Sequence, residues 1–369
     1  MSHVQSRNSE SSSEMTSRLL PLLFTPQLGL AEIELTTACP CRCITCGTNC
    51  GRAEVDELTA EELMKVLSDL SDLGCQRVSL LGGDPLCRPE LTTLIRHART
   101  HRLLVEIITS GMGLDATVAQ ELKSAGLNSA TVSVDGLEAS HDAQRGVRGL
   151  YGRAITAIRA LRAARVAVGV NTQVNRVSLP DLEALGDQLL EAGVMGWQLQ
   201  ATLPMGRAGQ SSLILQPADM PELLSVVRRL SRRRRLAPQL TDAIGWWTSD
   251  DTRLRSVPGA QARCWLGCMA GLQHMGITSQ GNVKGCLALP DEFTEGNVRN
   301  ETLREIWSDT KRFAYNRAYR PESLSGACAT CAQSTLCRGG CAASAVSFHG
   351  RSGRNDNCLL LVERNQNKL

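Results

Sequence analysis

From residue 30 onward the chain alternates short β-branched or apolar runs with stretches whose apolar residues recur every three or four positions. The first pattern suits buried strands and the second amphipathic helices, so their alternation predicts repeated βα units on a parallel sheet. Candidate strands fall at 31–36, 77–81, 103–109, 130–134, 166–174 and 196–200, with helical patterns over 59–73, 90–100, 115–125, 151–164 and 181–191. Six such units make an α/β fold, a partial (β/α)6 TIM-like barrel over 29–205, and no seventh or eighth strand is legible before the cysteines that begin at 264. Residues 1–28 read as a disordered polar tail, Ser-rich to about Ser17. Residues 206–262 read as a connecting region with one amphipathic helix over 221–235. The basic end of that helix, Ser231 to Arg235, reads as a solvated terminus favoured by the macrodipole rather than a docking patch for an acidic peptide. Residues 263–369 form a second, Cys-rich domain. In a barrel of this kind the chemistry sits on the loops that follow the strands.

Composition narrows the function classes. The 369 residues are 42% hydrophobic, enough to fill both cores. Aromatic residues, at 3%, are too scarce for the stacking platforms of single-stranded nucleic-acid binding, and a net charge of +3 is too small to imply a polyanionic partner. The apolar run 19–24 is too short to span a bilayer and lacks a cleavage pattern, so neither secretion nor membrane anchoring is expected. The fifteen cysteines fall within 39–87 and 264–358. A chain of this length needs no disulfide staples, so they read as reduced thiols of a cytoplasmic protein, available to metal.

Cys39, Cys43 and Cys46 form Cys-x3-Cys-x2-Cys directly after the first candidate strand. Three local thiolates on a cubic four-iron cluster leave one iron open to bind and activate another molecule. Taken alone, the spacing also suits a zinc loop. The motif and its place at a strand end resemble the radical S-adenosylmethionine (SAM) superfamily, whose open iron chelates the amino and carboxylate groups of SAM. The resemblance continues along the barrel. Gly82-Gly83-Asp84-Pro85 stands where the family usually carries Gly-Gly-Glu-Pro, and implies a backbone that approaches SAM closely and takes its ammonium on exposed carbonyls. Thr109-Ser110-Gly111 is similar to the family's Thr-Asn-Gly and implies Ser110 near the ribose. Ser133 and Arg145, twelve residues on, match positions that bracket the ribose and carboxylate, and Asn171 is a further polar candidate at the same mouth. Pro204-Met205-Gly206-Arg207-Ala208 also resembles the family and is given only a structural role in leading out of the barrel. Two departures stand out: Thr45 replaces a usual aromatic, and Cys41 and Cys50 add thiols to the loop. Cys43-x2-Cys46-x3-Cys50 is the same spacing reversed; Cys39 is preferred because it sits immediately beyond the strand.

The C-terminal third reads Cys264-x3-Cys268, Gly281-x4-Cys286, Cys328-x2-Cys331-x5-Cys337-x3-Cys341 and Cys358. Eight thiols make two four-ligand sets, enough for two fully ligated four-iron clusters, although a zinc ribbon uses similar spacings. With Glu295-Gly296-Asn297-Val298 and Leu303-Arg304-Glu305-Ile306-Trp307 between them, they resemble the SPASM domain of radical SAM maturases, such as anaerobic sulfatase-maturating enzymes and ribosomal-peptide maturases. That resemblance implies an inner auxiliary cluster on Cys264, Cys268, Cys286 and Cys341 and an outer one on Cys328, Cys331, Cys337 and Cys358. Cys75 and Cys87 belong to neither set and read as incidental thiols.

Together these resemblances imply an oxygen-sensitive enzyme with one SAM-binding and two auxiliary 4Fe-4S clusters. It would cleave SAM reductively to methionine and a 5′-deoxyadenosyl radical, which takes hydrogen from a peptide, often a ribosomally made precursor. The product could be a thioether, a carbon-carbon crosslink, an epimer or an oxidised side chain, and the sequence does not choose among them. An implied partner is an electron donor such as flavodoxin or ferredoxin; since only about 30 residues precede the barrel, leader recognition, if required, would need a separate leader-binding protein or the barrel rim. Two other classes stay open: a radical SAM dehydrogenase acting on a small molecule, and a non-catalytic zinc-binding module.

Overall fold

The computed structural model describes residues 24–210, 212–232, 236–244, 248, 250–255 and 265–366. Most of the polar tail, the basic residues 233–235 and the candidate ligand Cys264 lie outside the described residues. In chain order the barrel is β1 (Leu30–Thr36), α1 (Ala60–Asp72), β2 (Arg77–Gly82), α2 (Leu91–Thr100), β3 (Leu104–Thr109), α3 (Ala116–Ala125), β4 (Ser129–Ser133), α4 (Glu138–Arg145), α5 (Leu150–Ala163), β5 (Ala167–Val174), α6 (Leu182–Glu191) and β6 (Gly196–Ala201). The strands β1 to β6 pair in sequence order, all parallel.

Local chemistry accounts for these elements. At α1, Thr59 accepts the Glu62 N–H at 3.2 Å while the Glu62 carboxylate accepts the Thr59 N–H at 2.8 Å, a reciprocal cap that satisfies two orphan donors. Its Leu63, Val66, Leu67 and Leu70 recur on one face and are buried against the sheet, each contributing about 1.5–3 kcal/mol. Asp115 caps α3 through the Val118 N–H, and Gly126 ends it in the left-handed conformation. Helix α4 lies outside the helical patterns read from the sequence, because it is only eight residues long and polar at most positions.

The sheet does not stop at six strands. The amphipathic helix expected in the connecting region is α7 (Met220–Ser231), and the unexpected three-residue β7 (Pro238–Leu240) that follows pairs parallel with β6. So short a run, opening on proline, carries no readable alternation. On the opposite edge β8 (His274–Ile277) pairs parallel with β1, and β9 (Asn282–Lys284) and β10 (Gly296–Asn297) extend it antiparallel. Among the described residues, one ten-stranded sheet runs β10-β9-β8-β1-β2-β3-β4-β5-β6-β7. The C-terminal cysteine domain is therefore hydrogen-bonded into the barrel edge.

Strand alternation gives the sheet two unlike faces. Ala31, Ile33 and Leu35 of β1 join the core shared with the helices, whereas Glu32, Glu34 and Thr36 point the other way. On that inner face Glu106 accepts the Thr131 hydroxyl at 2.6 Å and the Ser79 hydroxyl at 3.3 Å, Glu32 lies 3.3 Å from His274, and Asn171 donates to Gln200 at 3.0 Å. Several polar groups of the lumen thus pair with one another. No helix among the described residues is long and apolar enough to cross a membrane.

Candidate functional site

The loop after β1 carries Cys39, Cys43 and Cys46, and it is held from three sides. Glu57 fixes its base, accepting the Thr37 N–H at 2.7 Å and the hydroxyls of Thr37 and Thr36 at 3.0 and 3.1 Å. The end of β2 fixes its near wall: the Gly83 N–H donates to Thr36 at 2.7 Å and the Asp84 N–H to Ala38 at 2.9 Å. A Cβ on Gly82 would stand 2.2 Å from the Thr36 oxygen, and one on Gly83 2.1 Å from the Ala38 oxygen. The close approach these glycines permit is to the chain's own cysteine loop. On the far side the Arg42 and Ile44 N–H groups donate to the carbonyls of Arg145 and Gln144, at 3.1 and 2.9 Å. Arg207 completes the clamp, its backbone N–H reaching the Cys46 carbonyl at 3.0 Å and its guanidinium the carbonyls of Cys43 and Cys50 at 2.7 and 3.1 Å. Pro204 to Ala208 therefore does more than lead out of the barrel, which the sequence reading missed.

Five thiols share this loop and lie close enough to shift one another's acidity. Cys41 donates to Cys39 and Cys43, holding both below the ordinary thiol range; at Cys43, which is pushed to about 6, the Arg145 guanidinium 3.7 Å away adds to the effect. Cys50 does the same for Cys46, pushed down to about 5. Cys41 and Cys50 are shifted up by their thiol neighbours and by burial; Cys41, Cys43 and Cys50 are buried, and Cys39 and Cys46 are partly exposed. Thiolates are what iron binds, and all five thiols of the loop lie where a cluster could take them.

The other barrel candidates divide between wall and mouth. Asp84 is fully buried, and its carboxylate accepts the Thr109 hydroxyl at 2.8 Å, the Ser110 N–H and hydroxyl at 2.9 and 2.5 Å, and the Leu86 N–H at 3.1 Å. The Asp84 and Ser110 side chains are thus engaged with each other, tying the ends of β2 and β3, and Pro85 opens the short turn beyond. Ser133, the last residue of β4, is the register partner of Asn171 within β5. The Asn171 side-chain oxygen is buried without a hydrogen-bond partner among the described residues, an acceptor suited to a hydroxyl of a bound ligand. Arg145, expected to reach the SAM carboxylate, has its Nε 2.6 Å from the Asp135 carboxylate. Asp135 is fully buried; its other oxygen accepts the Gln173 N–H at 2.9 Å, and its own N–H donates to His141 Nδ1 at 3.0 Å. Burial, with the charge of Arg145, pushes His141 down to about 4, so the ring is a neutral acceptor. The sequence alone assigns no role to Asp135 or His141.

In the second domain Cys328, Cys331, Cys337 and Cys358 line one small cavity. Burial pushes Cys358 up to about 12. Cys268, Cys286 and Cys341 gather instead around Ala270, Leu289 and Ala342. Chain spacing alone would join Cys341 to its neighbour Cys337. Glu32, His274 and Cys286 also offer ligand atoms within 4.8 Å of one another, a grouping that spans the two domains. Cys75, buried, donates to the Arg77 carbonyl at 3.1 Å, and Cys87 is exposed.

Two family models match the chain: the radical SAM superfamily over residues 33–182 and SPASM, an iron-sulfur cluster-binding domain, over 268–332. An AdoMet-dependent heme synthase of Methanosarcina barkeri is 27% identical, over 86% of this chain and 92% of its own. A PqqA peptide cyclase of Rhizobium meliloti is 27% identical over 92% and 88%. Streptococcus suis SuiB, solved with S-adenosylmethionine bound, superposes with a TM-score of 0.72 at 19% identity, covering 94% of this chain and 81% of SuiB. The cysteine loop at the mouth of a parallel barrel, the gathered thiols beyond it and both family models converge: this chain is a radical SAM enzyme with a SPASM domain, and 4Fe-4S clusters and SAM are its cofactors.

Proposed function

We propose that this enzyme modifies a peptide. Bound to its cluster, SAM supplies a 5′-deoxyadenosyl radical once an external one-electron donor, a flavodoxin or ferredoxin, has delivered an electron. The chain's own residues do the rest. Cys39, Cys43 and Cys46 hold that cluster. The backbone of Gly82 and Gly83, with Ser133 and Asn171, forms the SAM side of the mouth, and Asp84, Ser110 and Arg145 keep that wall in place. Cys264, Cys268, Cys286 and Cys341 hold the inner auxiliary cluster, and Cys328, Cys331, Cys337 and Cys358 the outer one.

The observation that carries the peptide reading is a cavity of about 710 Å³ between the ends of β1 and β2 and the second domain, reaching Gly47 and Thr48 beside the cluster loop. It lies in the size range of ligand sites. Among the described residues lining it are the carboxylates of Glu34, Glu54, Asp291 and Glu292 and one lysine, Lys284. The Lys284 ammonium is already committed, to Asp291 and to the Leu289 carbonyl, both at 2.8 Å. A neutral, hydrogen-bonding peptide main chain suits such a lining, whereas a macrocycle bearing several carboxylates meets like charge. The peptide cyclase among the relatives supports the same reading.

The heme synthase among the relatives favours a second reading, a tetrapyrrole substrate. One assay separates them. Anaerobic enzyme, SAM and reductant are incubated with a short peptide encoded beside the gene, and in parallel with a porphyrin. The expected result is a mass change in the peptide; a changed porphyrin beside an unaltered peptide overturns the proposal.

A further inference from the structure

The hydroxyl of Tyr315 is buried and has no hydrogen-bond partner among the described residues. Native structures rarely leave such a group unsatisfied, so its surroundings indicate what it meets. Its ring stands edge-on to Phe293, with centroids 5.2 Å apart and planes at 87°, which fixes its direction. It packs in the cluster that includes Cys268, Cys286 and Cys341. A Cβ built on Gly285 would fall 2.0 Å from the Tyr315 oxygen, so the hydroxyl lies against the backbone immediately before Cys286, where only glycine leaves room.

We infer that Tyr315 donates a hydrogen bond to a thiolate or sulfide of the inner auxiliary cluster and raises that cluster's reduction potential. The inference rests on the ligand assignment proposed above for Cys268, Cys286 and Cys341. Reduction adds negative charge to the cluster, a donor aimed at its sulfur stabilises the reduced form more than the oxidised one, and hydrogen bonds to sulfur are among the features that set such potentials. Phe293 and Gly285 serve this contact by aiming the ring and clearing its path.

Tyr315→Phe keeps the ring and removes only the hydroxyl. Anaerobic holoenzyme, wild type and variant, is titrated potentiometrically by electron paramagnetic resonance, and the N-terminal cluster is recognised by the change that SAM makes in its signal. The expected result is one auxiliary midpoint moved to more negative potential, with roughly a tenfold smaller ratio of reduced to oxidised cluster, or about 59 mV for one electron. The other two midpoints stay in place. Unchanged midpoints at full iron content overturn the role of Tyr315 alone. A wild-type iron content too low for two auxiliary clusters overturns the ligand assignment with it.

Discussion

Arg145 and Asp135 meet where neither is in open water, with side-chain exposures of 13% and 0% and a separation of 2.6 Å. Removing one partner of such a pair strands the other charge, so Arg145→Ala should lose about 3–5 kcal/mol of stability, read from urea unfolding. A loss below about 1 kcal/mol, the usual value of an exposed pair, would mean that Arg145 serves only its ligand. His141 adds a pH dependence of known sign. Its ordinary value is 6.5 and its folded value about 4, so between those limits the unfolded chain binds the extra proton. This contribution is complete above pH 6.5, falls as pH drops toward 4 and is then exhausted, on the order of 3 kcal/mol in all. The stability advantage of wild type over His141→Gln should therefore shrink from pH 7 to pH 4.5; an advantage constant across that range would show that the ring is not held neutral.

At the level of elements, the cysteine loop takes its shape from strand ends and turns that crowd it. Gly206 has a positive φ of 51°, and a Cβ there would stand 2.6 Å from the Cys46 oxygen; Gly83 is as tightly placed against Ala38. Alanine at either should displace the loop and cost about 1–3 kcal/mol, with iron retained at the N-terminal site falling in step. Iron content and melting temperature check this, and full loading in Gly83→Ala would show that the strand end is free to yield. These contacts also mark what the sequence made legible. The six long strands and their helices announced themselves through apolar periodicity, and the cysteines through spacing. Glu57, Asp135, His141 and Arg207 did not, because each acts on a backbone or charge far away in the chain: Arg207 grips Cys43 across 164 positions. The three residues of β7 are likewise strand only because β6 lies beside them. Asp84 was legible only as part of a motif resemblance, whereas its carboxylate's partners, Thr109, Ser110 and Leu86, were not.

For the whole molecule, the clusters should be separable. Replacing Cys328, Cys331 and Cys337 together with alanine should remove about four of roughly twelve irons, one four-iron cluster per set of ligands, while 5′-deoxyadenosine is still formed and modified product is lost. Iron analysis and chromatography of the nucleoside check this; an unchanged iron count would sink the outer-cluster assignment. The junction between the domains is of a different kind, because it is made of strand pairing. Gln27 and Gly29 donate to Leu272 and Gln273 at 2.7 and 3.0 Å, β1 pairs with β8, and the Ser279 N–H reaches the Glu34 carboxylate from 245 positions away. Closing so long a loop is slow relative to the local βα pairings. On the ribosome, then, the barrel's first strand emerges long before its neighbour and waits with a bare edge, while everything that clamps Cys39, Cys43 and Cys46 has been made by Arg207. The inner cysteines gather only after Cys341 appears. The residues of the radical-forming site are thus synthesised before those of the auxiliary sites, and a chain lacking β8 would leave the edge of β1 open to pairing with the wrong strand.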